Sequence, residues 1–361
     1  MCIRDRNQIL AQGFADENSL VVVYSGPEKE GIATPTAGQL LQVIDEVKKA
    51  EIEAPAADAV TEPLMDPSTL KGGNVKKTSK TVYGATEWIL SNGAKVVVLP
   101  TDHKKDQILF SFYKAGGQSL IPTEDLASFD ASIFGAFQSV QGLSKFKGTD
   151  LTKVLSGKMV SVSPFIDNLY NGVSGNSSVK DLETAFQLLY LNYVDPRFDQ
   201  KEFDNATSQI KAVLPNLLNT PNFAFQKELN KVLYNDDPRN EVISMEKLEK
   251  ASLQAIERNY RRLFADVAGS VMVIVGDVDL DTLKPLVEKY VGSLPKGKKA
   301  TKWADVEPKL AKGKVVDVFD QKMETPLSTV LQVYSDYRPF SVKDQTLASA
   351  VSYILDQIYT D

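Results

Sequence analysis
The sequence predicts an α+β fold, an antiparallel sheet with helices packed on one face, laid out as repeated domains of one plan. Three observations lead there. Short β-rich runs are joined to one another by tight polar turns, which antiparallel strands can use and parallel strands cannot. Helical patterns then follow in blocks instead of alternating one for one with the strands, the order of an α+β chain. One strand–turn–helix unit also occurs twice, about 250 residues apart, as expected for two copies of a larger unit.

The first copy opens with Leu20, Val21, Val22 and Val23 and a turn at Gly26 and Pro27. Thr36 then precedes a helical pattern made by Leu40, Leu41, Ile44 and Val47. Residues 50–80 are rich in Ala, Pro, Gly and Lys without a sustained period and read as a linker. A folded unit is expected from residue 81. Residues 88–90 and 95–99 flank the turn Ser91, Asn92, Gly93 and form a hairpin. A third strand spans 108–113, after the polar turn 102–107. Helical patterns cover 125–140 and 150–155. The clearest helix holds Leu182, Ala185, Phe186, Leu189, Tyr190 and Tyr193, with Ser178 and Asp181 at capping-box spacing and Pro196 beyond its end. Further helices are expected over 202–214, 225–234 and 246–264.

The second copy follows. Residues 271–275 form a buried-type strand, Gly276 and Asp277 turn, and Leu283, Leu286, Val287 and Tyr290 give the helix. A cap at Asp281 or Thr282 puts Pro285 in the first turn, where amides lack intrahelical partners. A second Lys/Pro/Gly linker leads to strands at 314–319 and 328–334. A closing helix then presents Leu347, Ala350, Val351, Ile354 and Ile358 at helical spacing. The expected organisation is therefore residues 1–6 foreign to the natural protein, 7–49 the tail of a preceding α+β domain and 50–80 a linker. Residues 81–295 form a complete α+β domain, 296–313 a second linker, and 314–361 the truncated start of another domain. Both ends read as cut.

Composition narrows the chemistry. The chain has 361 residues, a formal net charge of −6, 43% hydrophobic and 24% charged residues, enough apolar material for real cores. The acidic balance argues against nucleic-acid partners, and no apolar run nears the ~20 residues of a membrane helix. Asp5, Asn7 and Gln8 interrupt any signal-peptide core. There is one His, His103, and one Cys, Cys2. Zinc sites usually draw on several such ligands, and a Ser–His or Cys–His pair could use His103 alone. An intrachain disulfide is impossible.

Several stretches resemble the pitrilysin/insulinase family of zinc metalloendopeptidases. They are the hairpin Leu90-Ser-Asn-Gly-Ala-Lys-Val-Val-Val98, the strand exit Lys114-Ala-Gly-Gly-Gln-Ser119, Asp181-Leu-Glu-Thr-Ala-Phe-Gln-Leu-Leu-Tyr190 and Asp195-Pro-Arg-Phe198. The last are Val275-Gly-Asp-Val-Asp-Leu-Asp-Thr-Leu-Lys-Pro-Leu286 and its ending Gly292-Ser-Leu-Pro295. The resemblance implies four similar α+β domains in two halves that close on a peptide. It also implies a zinc held by H-x-x-E-H on the first helix of the catalytic half and a Glu on a later helix, with the first Glu as general base. Here the corresponding helix, 125–140, contains no His, and its carboxylates are Asp125 and Asp130. The later helix reads Gln209-Ile-Lys-Ala-Val-Leu-Pro215. Neither part of the site carries over. The substrate-facing Arg and Tyr of the family's last domain are expected beyond Asp361.

Other features read blandly. His103 sits in a polar turn and is expected to be exposed. Residues 292–298 have P-loop spacing but follow a helix, contain Pro295 and place Lys299 where Ser or Thr should bind magnesium. Residues 172–178 read as a loop into the Ser178 cap rather than an anion nest, and the lysines of 71–80 as a solvated linker. Tyr334, Tyr337 and Phe340 fit a peptide-cleft lining and strand-end packing equally.

The expected function is thus the non-catalytic, substrate-enclosing portion of a pitrilysin/insulinase-like zinc metalloendopeptidase. No catalytic, metal or cofactor residue is expected in this chain, and zinc is expected in a missing N-terminal half. The expected partners are a peptide substrate and that catalytic half or an active partner subunit, with no nucleic acid and no membrane span. The alternative is a free-standing binding or scaffold subunit beside an active peptidase. The resemblance implies a periplasmic or cell-envelope location.

Overall fold
The computed structural model describes residues 21–26, 34–50, 62–306, 308–322, 327–335 and 338–360. The chain divides into two units, Met1–Asp58 and Ala59–Asp361. In the first, helix α1 (Ala37–Lys49) starts as expected: the Gln39 N–H donates to Thr36 Oγ1, and the Thr36 N–H donates to Gln39 Oε1, closing a capping box. The expected strand at 20–23 is not formed over its described residues. Val21, Val22 and Val23 are exposed, and no described strand pairs with them, so their backbone groups have no ladder to join.

The second unit is built on a seven-stranded sheet in the order β1-β2-β3-β7-β4-β6-β5. β1 (Val75–Lys80), β2 (Thr86–Leu90), β3 (Lys95–Pro100) and β4 (Ile108–Ala115) come first. The helices α2 (Ala131–Val140) and α3 (Gly148–Val154) follow, and then β5 (Val160–Ile166) and β6 (Tyr170–Ser177). The helical block α4 (Leu182–Val194), α5 (Gln200–Leu218), α6 (Pro221–Leu233), α7 (Met245–Lys250) and α8 (Leu253–Leu263) precedes β7 (Val271–Gly276) and α9 (Leu280–Leu286). Helix α10 (Val342–Thr360) is the last element. All neighbouring strands are antiparallel except β3 and β7. The long helical block between them supplies the crossover that a parallel pair requires.

Alternation places the core on one face of the sheet. Trp88 lies opposite Val96, Val96 beside Met272, Met272 opposite Phe112, and Phe112 opposite Val173. All five are buried and belong to one cluster with Phe186, Leu189, Ile256 and Tyr260 of the helices. Fully burying side chains of this size contributes roughly 1.5–3 kcal/mol each, so this row is the main reason the strands keep their register.

Several expectations need correction. The segment expected as linker up to residue 80 already contains β1, paired from Val75 with Leu90 to Lys80 with Thr86. Its polar sequence hid it because it is an edge strand with little to bury. Strand β5 went unpredicted although Val160, Ser161, Val162 and Ser163 alternate. The stretch 172–178 is not a loop but mostly strand β6, whose amides are taken by its neighbours. The helix expected over 125–140 is a 3-10 segment, Thr123–Phe129, followed by α2. The break is set by Asp130, whose Oδ1 accepts the Ser132 N–H at 2.9 Å. The helix over 246–264 breaks likewise at Ser252, which caps α8. The cap of α9 is Asp279, so Pro285 lies inside the helix. The chain widens into a π turn directly after it, at Val287–Val291. Residues 314–319 and 328–334 form no described strand. Val315, Val316, Val318, Val330 and Leu331 are exposed, with no described strand alongside to satisfy a ladder.

Candidate functional site
The resemblance directs attention to α2 and α5, the helices on which a zinc site would stand. They pack against one another. From α2, Ile133, Phe134 and Phe137 are buried; from α5, Phe203, Ala206 and Leu214 are. The Phe137 ring stands edge-on to Phe203 at 5.7 Å between centroids and stacks on Phe198 at 6.5 Å. Gln209 of the expected ligand segment points to solvent, while Ile210 packs on the core. A zinc ion needs nitrogen, sulfur or carboxylate donors, and this contact offers phenyl rings and alkyl groups. The residues do not fit a metal. Among the described residues no group of three or more His, Cys, Asp or Glu stands together in a metal-binding arrangement.

The approach to α2 is fixed by polar contacts from the helices across it. Buried Asp125 accepts the Arg258 Nη2 donor at 2.7 Å to each oxygen and the Asn259 Nδ2 donor at 2.7 Å. Lys247 Nζ, also buried, donates to the Glu241 carbonyl at 2.6 Å and lies 3.1 Å from Asp130 Oδ2. The Ser252 N–H donates to Ser128 Oγ at 2.9 Å. The two carboxylates on the expected catalytic helix are therefore bound into structural contacts. Asp125 holds α8, and Asp130 caps α2 while pairing with Lys247. Neither is presented as a base.

At the strand exit Lys114–Ser119, Arg239 donates to the carbonyls of Gln118 and Ile121 at 3.0 Å each. Buried Asn171 bridges the Gly117 N–H, at 3.2 Å, and the Leu263 carbonyl, at 3.0 Å. Gly117 has φ +59°, and a Cβ there would meet the Asp167 carbonyl, so the turn needs glycine. His103 is exposed in its turn, as expected. Gly292 donates to the Val287 carbonyl at 3.0 Å within the π turn, which places the P-loop-like spacing on a helix exit. Tyr334 and Phe340 are exposed, while Tyr337 and Cys2 lie outside the described residues.

Residues 250–357 match the family model described as the peptidase M16 inactive domain. Over those residues the chain is similar to a peptidase M16 inactive domain. It is 25% identical over 267 residues to a zinc protease PQQL-like protein of Arabidopsis thaliana, covering 72% of this chain and 25% of that one. It is 22% identical over 214 residues to a probable zinc protease PqqL of Haemophilus influenzae, covering 58% and 22%. The chain thus spans about a quarter of the length of these curated relatives. The crystal structure of the periplasmic protease PqqL from Escherichia coli shares the fold at a TM-score of 0.59 and 18% identity, over 77% of this chain and 30% of that one. No described helix is long and apolar enough to cross a membrane. The aromatic packing of Phe137, Phe198 and Phe203 is not visible in the sequence, because the three residues belong to separate segments.

Proposed function
We propose that this chain is the non-catalytic, substrate-enclosing portion of a zinc metalloendopeptidase, whose zinc and general base are supplied by a separate catalytic half. The observation that carries this reading is the α2–α5 contact. In an M16-type chain, the helix pair where ligands would stand is closed by Phe137, Phe203 and Ile210. A half of this kind acts by supplying wall and interdomain contact, which orients a peptide without touching the metal. The body around the sheet, with β1 included, is the complete domain in this proposal, and residues 314–361 begin another. The substrate is a peptide, and the setting is the periplasm or cell envelope, by analogy with the Escherichia coli protease.

The test combines metal analysis with peptide cleavage. The purified chain is expected to hold no stoichiometric zinc and to leave an unstructured peptide intact, with or without chelator. Adding the catalytic half that carries H-x-x-E-H should raise that half's cleavage rate. Stoichiometric zinc with chelator-sensitive cleavage by this chain alone would overturn the non-catalytic assignment. A catalytic half equally active with and without the chain would overturn the substrate-enclosing role.

A further inference from the structure
A cavity of about 220 Å³ opens at the exit of β4, lined by Lys114, Leu120, Arg262, Leu263 and Thr301. We propose that it binds a small aliphatic carboxylate, with Lys114 and Arg262 as the cationic partners and Leu120 and Leu263 as the apolar wall. The inference does not depend on the peptidase reading, since none of these residues belongs to the α2–α5 contact.

Unused donors come first. The Lys114 side chain is 3% exposed; its Nζ donates to the Asp266 carbonyl at 2.8 Å and stands 3.6 Å from Asp266 Oδ1. An ammonium has three donors, so one remains. Arg262 uses Nη2 alone, toward the Leu120 carbonyl and, at 2.8 Å, Asn259 Oδ1. Its Nε and Nη1 donors have no partner among the described residues; with Nη2 committed, each offers a carboxylate a single charge-assisted bond rather than a paired fork. Two anchored acceptors fix this guanidinium in place, so little side-chain freedom is lost on binding.

Charge and size choose the ligand. Asp266 is the carboxylate facing Lys114, and its Oδ1 is already shared with the Ala268 N–H at 2.8 Å. Two cations against one anion leave a positive excess. Burial pushes the Lys114 amine below its ordinary pKa, with Asp266 pulling it partly back, and a bound anion would further favour its charged form. The cavity falls below the ≈300–1,000 Å³ of ordinary ligand pockets, which limits the occupant to a small molecule or the end of a longer one. The two leucines favour an alkyl group over a second charge. A free branched-chain acid and the C-terminal residue of a peptide share this chemistry.

The test is a titration of the full chain followed by backbone amide NMR. N-acetyl-L-leucine should give saturable shifts at residues 114–120 and 262–263. N-acetyl-L-leucinamide, which lacks the charge, should bind more weakly by at least about tenfold. A tetrapeptide ending in leucine distinguishes the sources: binding equal to the free acid identifies a peptide terminus, and failure of the peptide alone identifies a free acid. Arg262→Met should weaken the acid by about tenfold or more, and Thr301→Trp should block the mouth with a similar loss. Both positions tolerate change better than buried Lys114, so they keep the test decisive should Lys114→Met fail to fold. Equal binding of acid and amide, or no saturable shift at tens of millimolar acid, would overturn the proposal. Unchanged binding in Arg262→Met would do the same.

Discussion
Asp181 joins three pieces of chain through one carboxylate. Its Oδ2 accepts the Met159 N–H and the Ser178 hydroxyl, each at 2.8 Å, and its own N–H donates to Ser178 Oγ at 3.1 Å. The start of α4 is thereby tied to the strand that enters the sheet at Val160. The Met159 amide, and then the Ser178 hydroxyl, hold the Asp181 pKa below the usual carboxylate value. A carboxylate depressed on folding contributes stability that is present above the unfolded value, about 3.9, and lost as pH falls through the folded one. Asp181→Ala should therefore cost about 1–3 kcal/mol in urea unfolding at neutral pH, and the gap from the parent should close below about pH 4. A gap of the same size at pH 3 and pH 7 would show that the carboxylate is not its source.

At the scale of elements, two contacts decide whether the sheet and its helices hold together. Phe137→Ala removes a fully buried ring from the α2–α5 contact, and about 3–5 kcal/mol should be lost, read as a lower denaturation midpoint without a change in the slope. Gly172 faces the chain of β4, where a Cβ would meet the Phe112 carbonyl. Gly172→Ala should force β6 away from β4 and destabilise by at least about 2 kcal/mol. Amide exchange should rise along both strands, and a variant as protected as the parent would refute the close approach. These two sites also show what the sequence makes legible. The hairpin 88–99, the helix of Leu182 and Phe186, and the strand 271–275 were readable, because period and turn chemistry state them locally. The edge strand β1 was not, since Lys76, Lys77 and Lys80 carry no buried pattern. Nor was β6, because Gly172 and Gly175 look like loop residues until a neighbouring backbone is placed against them. That His103 is the one histidine was legible in the sequence; the ring cluster of Phe137, Phe198 and Phe203 was not, because they meet only in the fold.

The whole second unit is further bound by the segment expected as its second linker. The Val267 N–H donates to the Pro295 carbonyl at 3.0 Å, the Ala304 N–H to Ser119 Oγ at 3.0 Å, and the Ala311 N–H to the Leu233 carbonyl at 2.7 Å. Asn235 Nδ2 adds a bond to the Lys309 carbonyl at 3.1 Å, and Phe319 stacks on Phe225 at 6.4 Å. A stretch without regular structure is thus strapped from the strand exit to α6, and the chain beyond it leaves from a defined place rather than from a free tether. Between Ala304 and Ala311 no described residue lies in a helix or strand that would couple the opening of these two anchors. Ser119→Ala should speed exchange of the Ala304 amide by up to about tenfold, the worth of one hydrogen bond, and leave the Ala311 amide as it was. If both amides speed up together, the strap peels as one piece.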